Sequence, residues 1–411
     1  MKKVTYILKS FPVLSQTFVI DQINNLIASG YDVKIISIFS EKVDAKLQEN
    51  VEKFDLLSRT EFVCQGKSKH QKVLSLLFAL AKSIINYRQA KPVLGLFTHL
   101  LKCKDFKSAI DTVRLYNHFA HHSSLPSEYR NGVFIAHFGQ FGVMTQASID
   151  ARAISGKLLT VFHGYEMSEY AQINVWKKKY TELCKGNNQL LPISDFWKSR
   201  LVEWGADSSY ISVMHMGVDV QTLPFNPKPF KKNINILTVA RATEKKGLTY
   251  AFEAVSLGLS FPYEYNYIGN GQLLQQLKDQ VEQANTENIN FLGARSHSEV
   301  KEYLRKADIF LLPSVIDTQG DMEGIPVSLM EAMAAGIIVI STEHSGIPEL
   351  IENGVNGFLA PEKDAVALNK IINQAVSRAD LAQIRENARK KVEDEFNSVN
   401  LTQELINFIE Q

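Results

Sequence analysis

"ADIFLLPSVIDTQGDMEGIPVSLMEAMAAGIIVIST", residues 307–342, contains the whole fold in one repeat. An apolar run closes at Leu312, a loop carrying Pro, Gly and Asp follows, Pro326 opens a helix, and a second apolar run starts at Gly336. Pro is favoured at a first helical position because the N–H it lacks has no partner there anyway. Short apolar strands joined through a helix are the signature of parallel strands buried on both faces.

The same alternation recurs on either side. In the first half "VTYIL", then a helix in "SQTFVIDQINNLIASG" that stops at Gly30, then "YDVKIISIF" form a βαβ unit, with further strands expected over 133–138, 157–164 and 189–194. In the second half strands are expected over 233–241, 263–269, 288–293, 307–314 and 336–342. The stretch 215–235 has three Pro and turn residues, which marks a linker. The pattern predicts an α/β protein of two Rossmann-like doubly wound domains, residues 1–218 and 219–384, facing each other across a cleft at the carboxyl ends of their strands.

Composition narrows the class. A hydrophobic fraction of 45% with 22% charged residues describes a soluble globular chain, and its 411 residues suffice for two cores. Cys64, Cys103 and Cys184 are far apart and odd in number, which fits a reducing compartment and excludes a zinc-type cluster. No uninterrupted apolar run reaches membrane-spanning length, so a cytoplasmic protein is expected. The near-neutral net charge hides an asymmetry: residues 1–220 carry 27 Lys and Arg against 19 Asp and Glu, the remainder 18 against 25. Residues 67–107 hold nine of those cations and one acid, Asp105. Such a stretch reads either as a peripheral contact with an anionic membrane or as helices whose lysines face water.

Two constellations carry chemistry. In "VARATEKKG" Arg241 ends a strand and Lys246 precedes the helix opened by Gly247, a placement suited to a doubly charged phosphate. In "GDMEGIPVSLME" Glu323 lies in the loop before the helix and Glu331 about one and a half turns into it, with the amides of Gly324 onward exposed at a helix start. Two carboxylates so placed can each accept hydrogen bonds from vicinal hydroxyls of a nucleotide-sugar.

These motifs, together with "FLG" at 291–293 and "SGIPELIENGVNGFL" at 345–359, resemble the retaining, nucleotide-sugar-dependent glycosyltransferases of the GT-B architecture, the large family of bacterial polysaccharide and lipid-linked glycan enzymes. "FPVLSQTFVIDQI" and "GDMEGIPVSLMEAMA" are similar to its colanic-acid and exopolysaccharide branch. The resemblance implies that Arg241 and Lys246 hold the donor diphosphate, that Glu323 contacts the donor sugar and Glu331 the ribose, and that the backbone of Gly324, Ile325, Pro326 and Val327 completes the phosphate cradle. It places Leu292 and Gly293 beside the nucleobase, Gly269 in the donor-domain turn, and His163 of "TVFHGYE" beside the donor sugar. His137 of "AHFG" faces the same cleft in either an acceptor-side or a structural role. Phe11, Ser15 and Gln16 are candidates for acceptor contact. The implied activity is transfer from a UDP-sugar, with a GDP-sugar as alternative, to an acceptor such as an undecaprenyl-diphosphate-linked oligosaccharide, at the inner face of the plasma membrane. Neither a metal, a cofactor nor nucleic acid is expected. Residues 385–411 are strongly helical and in this architecture return to the first domain. A non-hydrolysing nucleotide-sugar epimerase and a silent subunit of a polysaccharide assembly complex are the rival readings.

Overall fold

The computed structural model describes residues 2–13, 16–44, 47–64, 81, 87–122, 126–230 and 232–411. Ser15 and most of the basic stretch, residues 67–80 and 82–86, lie outside them. The first sheet consists of β1 (Lys3–Phe11), β2 (Asp32–Ser40), β3 (Thr60–Phe62), β4 (Val133–His137), β5 (Lys157–Phe162) and β6 (Gln189–Pro192). The second consists of β7 (Ile234–Val239), β8 (Tyr263–Ile268), β9 (Ile289–Phe291), β10 (Ile309–Leu311), β11 (Ile338–Thr342) and β12 (Phe358–Ala360). Their orders are β3-β2-β1-β4-β5-β6 and β12-β11-β10-β7-β8-β9, parallel throughout. In each sheet the order reverses beside its first strand, between β1 and β4 and between β7 and β10, which is where open α/β sheets leave a crevice for ligands.

Burial explains why these segments are strands. Every residue of "KLLTVF" in β5 is buried, and Val4, Tyr6 and Ile7 of β1 have no exposed surface. Helices therefore cover both faces, and the apolar runs are continuous rather than alternating. Strands β3 and β12 are additions to the sequence reading; each is three residues long at a sheet edge.

The chain passes between the domains twice. The helix Leu381–Glu395 stays with the second domain, where Ala388 and Val392 join the core around Leu329 and Met333. The return to the first domain thus begins after Phe396 rather than at 385. The helix Ser398–Glu410 buries Leu405 and Ile409 in the first core, and Glu410 accepts from Tyr31 at 2.6 Å and pairs with Lys2. At the crossing, Val218 N–H donates to Phe396 O and Ser398 N–H to Val218 O, both at 2.9 Å, so the two linkers run side by side. Gly217 permits this approach: a Cβ there would sit 2.5 Å from Phe396 O.

Candidate active site

Each residue singled out in the second half lies at or just past the carboxyl end of a strand: Arg241 after β7, Gly269 after β8, Leu292 and Gly293 after β9, Glu323 to Glu331 after β10. The loops after β7 and β10 are joined directly. Val315 N–H donates to Lys245 O at 2.9 Å, and Gly247, at φ +64°, lies so close to Pro313 O that any side chain would collide with it. This contact brings the cations and the acids together. Lys246 Nζ lies 2.6 Å from Glu323 Oε2, and Lys245 Nζ lies 3.3 Å from Glu323 Oε1 and 2.9 Å from Asp321 Oδ2.

Burial would raise the Glu323 carboxyl, but the two ammonium groups outweigh it and hold the acid down at about 2. Burial likewise works against the Lys245 charge, yet Glu323 and Asp321 lift its pKa above the ordinary lysine value. The backbone at 323 is fixed as well. Glu323 N–H donates to His344 Nε2 at 3.0 Å, so the His344 hydrogen is on Nδ1, 2.7 Å from Glu362 Oε1. Glu362 Oε2 in turn accepts from Ile316 N–H at 2.9 Å.

The Arg241 side chain is exposed and makes no hydrogen bond or ion pair among the described residues, while its carbonyl accepts from Thr243 N–H at 2.9 Å. The structure therefore joins Lys246 to Glu323 and leaves the guanidinium free. Glu331 sits on the helix Val327–Ala334, where burial pushes its carboxyl up to about 7, opposed by Lys301 and reinforced by Asp21 of the first domain. Asp21 is itself raised to about 6 by burial, with Asp219 adding to the shift. The amides before this helix do not form an unbroken row. Pro326 is its N-cap and has no N–H, and Leu329 N–H is taken by Pro326 O at 3.0 Å. Gly324, Ile325 and Val327 remain as donors. Gly269 N–H donates to Gly293 O at 3.0 Å, and Leu292 N–H to Tyr267 O at 2.9 Å, which fixes the β8 and β9 loops side by side.

The first domain closes over this loop. Met322 N–H donates to Ser168 Oγ at 3.1 Å, and Tyr170 N–H to Gln319 O at 3.0 Å. Gly324 lies where a Cβ would be 3.1 Å from His163 O and 2.5 Å from Ile193 Cδ1. His163 and the Glu323 loop, far apart in sequence, are therefore neighbours. His137 and His163, at the ends of β4 and β5, are joined by a 2.9 Å Nδ1···Nε2 bond. Glu166, fully buried, accepts from His163 N–H at 2.9 Å and Gly139 N–H at 3.3 Å, and burial raises its carboxyl to about 7.

Several contributors escaped the sequence reading. Lys245 repeats its neighbour in "EKKG", Asp321 precedes the acid by two, and Glu166 follows His163 by three; closeness to a motif was the only available signal. Glu349 of "SGIPEL" accepts from Asp195 N–H at 2.9 Å and Phe196 N–H at 3.0 Å, capping a helix of the first domain from the second, and meets His215 Nε2 at 3.2 Å.

Two facing doubly wound domains, with cations and a half-buried acid meeting where they touch, define a GT-B protein. The description "Glycosyl transferases group 1" matches residues 219–391. The chain is 37% identical over 404 residues to the amylovoran biosynthesis glycosyltransferase AmsK of Erwinia amylovora, covering 96% of each chain. It is 36% identical over 423 residues to WcaL of Escherichia coli K12, described as a colanic acid biosynthesis glycosyltransferase, covering 99% of each. Among solved structures, Anabaena HepE in complex with UDP-glucose superposes with a TM-score of 0.72 at 16% identity over the full length of both chains. The chain belongs to the group 1 glycosyltransferases.

Proposed function

We propose that this chain transfers a sugar from a nucleotide-diphosphate donor to a glycan or lipid-linked acceptor, with retention of anomeric configuration, in exopolysaccharide synthesis. UDP-sugars are the favoured donors, with GDP-sugars as the alternative, and an undecaprenyl-diphosphate-linked oligosaccharide is the favoured acceptor. The names of AmsK and WcaL support the pathway class, and HepE, solved with UDP-glucose, supports the donor class. The observation that carries the reading is the Lys246–Glu323 pair at 2.6 Å, at the point where the first domain's His163 meets the second domain's loop.

In this reaction the diphosphate leaves as an anion. Lys246, Lys245 and the free guanidinium of Arg241 stabilise its growing charge, assisted by the amides of Gly324, Ile325 and Val327. These groups supply the charge that a divalent ion supplies elsewhere, so the transfer proceeds without a metal. Glu323 remains ionised throughout and accepts hydrogen bonds from the donor sugar, while Glu331 receives the ribose diol. A front-face displacement follows, in which the departing phosphate takes the acceptor's hydroxyl proton. The test is incubation with UDP- and GDP-sugars and a lipid-linked acceptor in EDTA. Nucleotide release and an unchanged anomeric configuration are expected; an inverted product or a strict metal requirement would overturn the mechanism.

We also propose that the first domain rests on an anionic membrane. Among the described part of the basic stretch, Phe106 is 58% and Leu101 37% exposed, beside Lys102, Lys104 and Lys107 on the turn between the helices Tyr87–Lys102 and Phe106–Asn117. No helix among the described residues is long and apolar enough to cross a membrane.

A further inference from the structure

A chain of polar groups leads from the interior of the first domain to His163. Tyr6 OH donates to Gln22 Oε1 at 3.0 Å, Gln22 Oε1 lies 3.1 Å from His137 Nε2, and His137 Nδ1 lies 2.9 Å from His163 Nε2. Tyr6 and His137 have no exposed surface, and the planes of the His137 and His163 rings differ by 19° with centroids 5.1 Å apart, as two rings joined edge to edge through their nitrogens. Phe18 and Phe138 flank His163 at 5.0 and 4.6 Å. Burial lowers His137 to about 3, and burial together with His137 keeps His163 well below the ordinary imidazole value, so both rings are neutral near pH 7.

With the Gln22 amide placed so that Oε1 is the shared acceptor, the hydrogens in this chain have one consistent arrangement. An amide oxygen has lone pairs and no proton, so Gln22 Oε1 receives from both Tyr6 and His137 Nε2–H. A neutral imidazole has a single N–H, so His137 Nδ1 must accept, and the hydrogen of the bond to His163 belongs to His163 Nε2. His163 Nδ1 is left with a lone pair and no partner among the described residues.

We infer that Tyr6, Gln22 and His137 are positioning residues that lock His163 into its Nε2–H tautomer, so that Nδ1 is presented as a hydrogen-bond acceptor for a hydroxyl of the transferred sugar. The inference rests on the glycosyl-transfer reading only for the identity of that hydroxyl; the tautomer is a property of the chain itself. The relay makes His163 a selector: a donor with a hydroxyl at that place is matched, and one lacking it is not. His163 takes no proton from the reaction.

Histidine tautomers are read directly from long-range proton–nitrogen correlation spectra of the full-length protein with ring-labelled histidine, assigned with His137→Asn and His163→Asn. His137 and His163 are expected as single Nε2–H forms from pH 6 to 8. Gln22→Leu removes the accepting carbonyl and is expected to give mixed tautomers at both rings. If that variant fails to fold, Tyr6→Phe frees the amide to turn and is expected to do the same. In turnover of UDP-glucose, UDP-galactose or UDP-N-acetylglucosamine, Gln22→Leu is expected to lower kcat up to about tenfold, the worth of one hydrogen bond, with a smaller change in KM. An Nδ1–H form at His163 in the unaltered protein, or tautomers indifferent to both substitutions, would overturn the relay. If all three donors are inert while the tautomers are as described, the relay stands and the proposed donor class fails.

Discussion

Glu323 is a half-buried acid with two lysines on one carboxylate, and removing either lysine should be felt in two ways. Lys246→Ala withdraws a cation from the departing diphosphate, and transfer is expected to fall about 10²- to 10³-fold in kcat while the protein stays folded. Its second effect is on stability. Because the Glu323 carboxyl is held at about 2 against an ordinary 4.5, the pair contributes stability that is complete above pH 4.5 and is lost as pH falls through about 2. Urea unfolding of Lys246→Ala should therefore show a smaller difference between pH 3 and pH 7 than the parent chain. Glu331 has the opposite sign. Burial raises it to about 7, so the fold binds its proton more tightly than the unfolded chain does and loses stability as pH rises from 4.5 to 7. Glu331→Gln is expected to raise Tm at pH 8, to leave Tm unchanged at pH 4, and to weaken nucleotide binding about tenfold, a trade of function for stability. Unchanged nucleotide affinity would remove Glu331 from the ribose site.

At the level of elements, Glu349 joins two parts that the sequence places more than 150 residues apart. Its carboxylate caps the helix Asp195–Glu203 and touches His215. Although burial would raise it, hydrogen bonds from His215, Phe196 and Asp195 hold it below the ordinary value. Glu349→Ala is expected to cost about 1–2 kcal/mol at pH 7, as caps do, with the difference fading below pH 4.5 as the acid protonates; equal urea midpoints at pH 7 would refute the cap. Such a contact was not legible, because no local spacing links a glutamate to amides in another domain. The βαβ alternation was legible, since strands buried on both faces leave continuous apolar runs such as "NINILTV" and "KLLTVF". Strands β3 and β12 were not, because "TEF" and "FLA" are too short to show a period and take their shape from one neighbouring strand. The paired glutamates and the strand-end cations stood out because Pro326 and Gly247 punctuate their loops. His137 was singled out by its place at a strand end, but its bond to His163 was not legible, and Gln22 gave no signal at all: each works through a partner on another element, and sequence alone cannot show the partner.

For the whole molecule, part of the basic excess of the first half lies on the turn around Phe106, where Lys102, Lys104 and Lys107 are exposed. Lysines near an anionic surface are worth about 1 kcal/mol each. Phe106→Asp and Lys104→Glu are each expected to reduce co-sedimentation with phosphatidylglycerol vesicles while leaving turnover of a soluble acceptor unchanged. Equal binding of both variants would make the turn an ordinary solvated face.

The two strands of chain that link the domains are bonded to each other at Val218, Phe396 and Ser398, with Gly217 pressed against the second strand. A single tether would let one lobe swivel freely on the other. A paired ribbon resists torsion and bends most easily about one line, so relative motion reduces to opening and shutting. An opening and reclosing about that line would bring Gly324 back to the same carbonyl of His163, so that the two domains would meet again in one register.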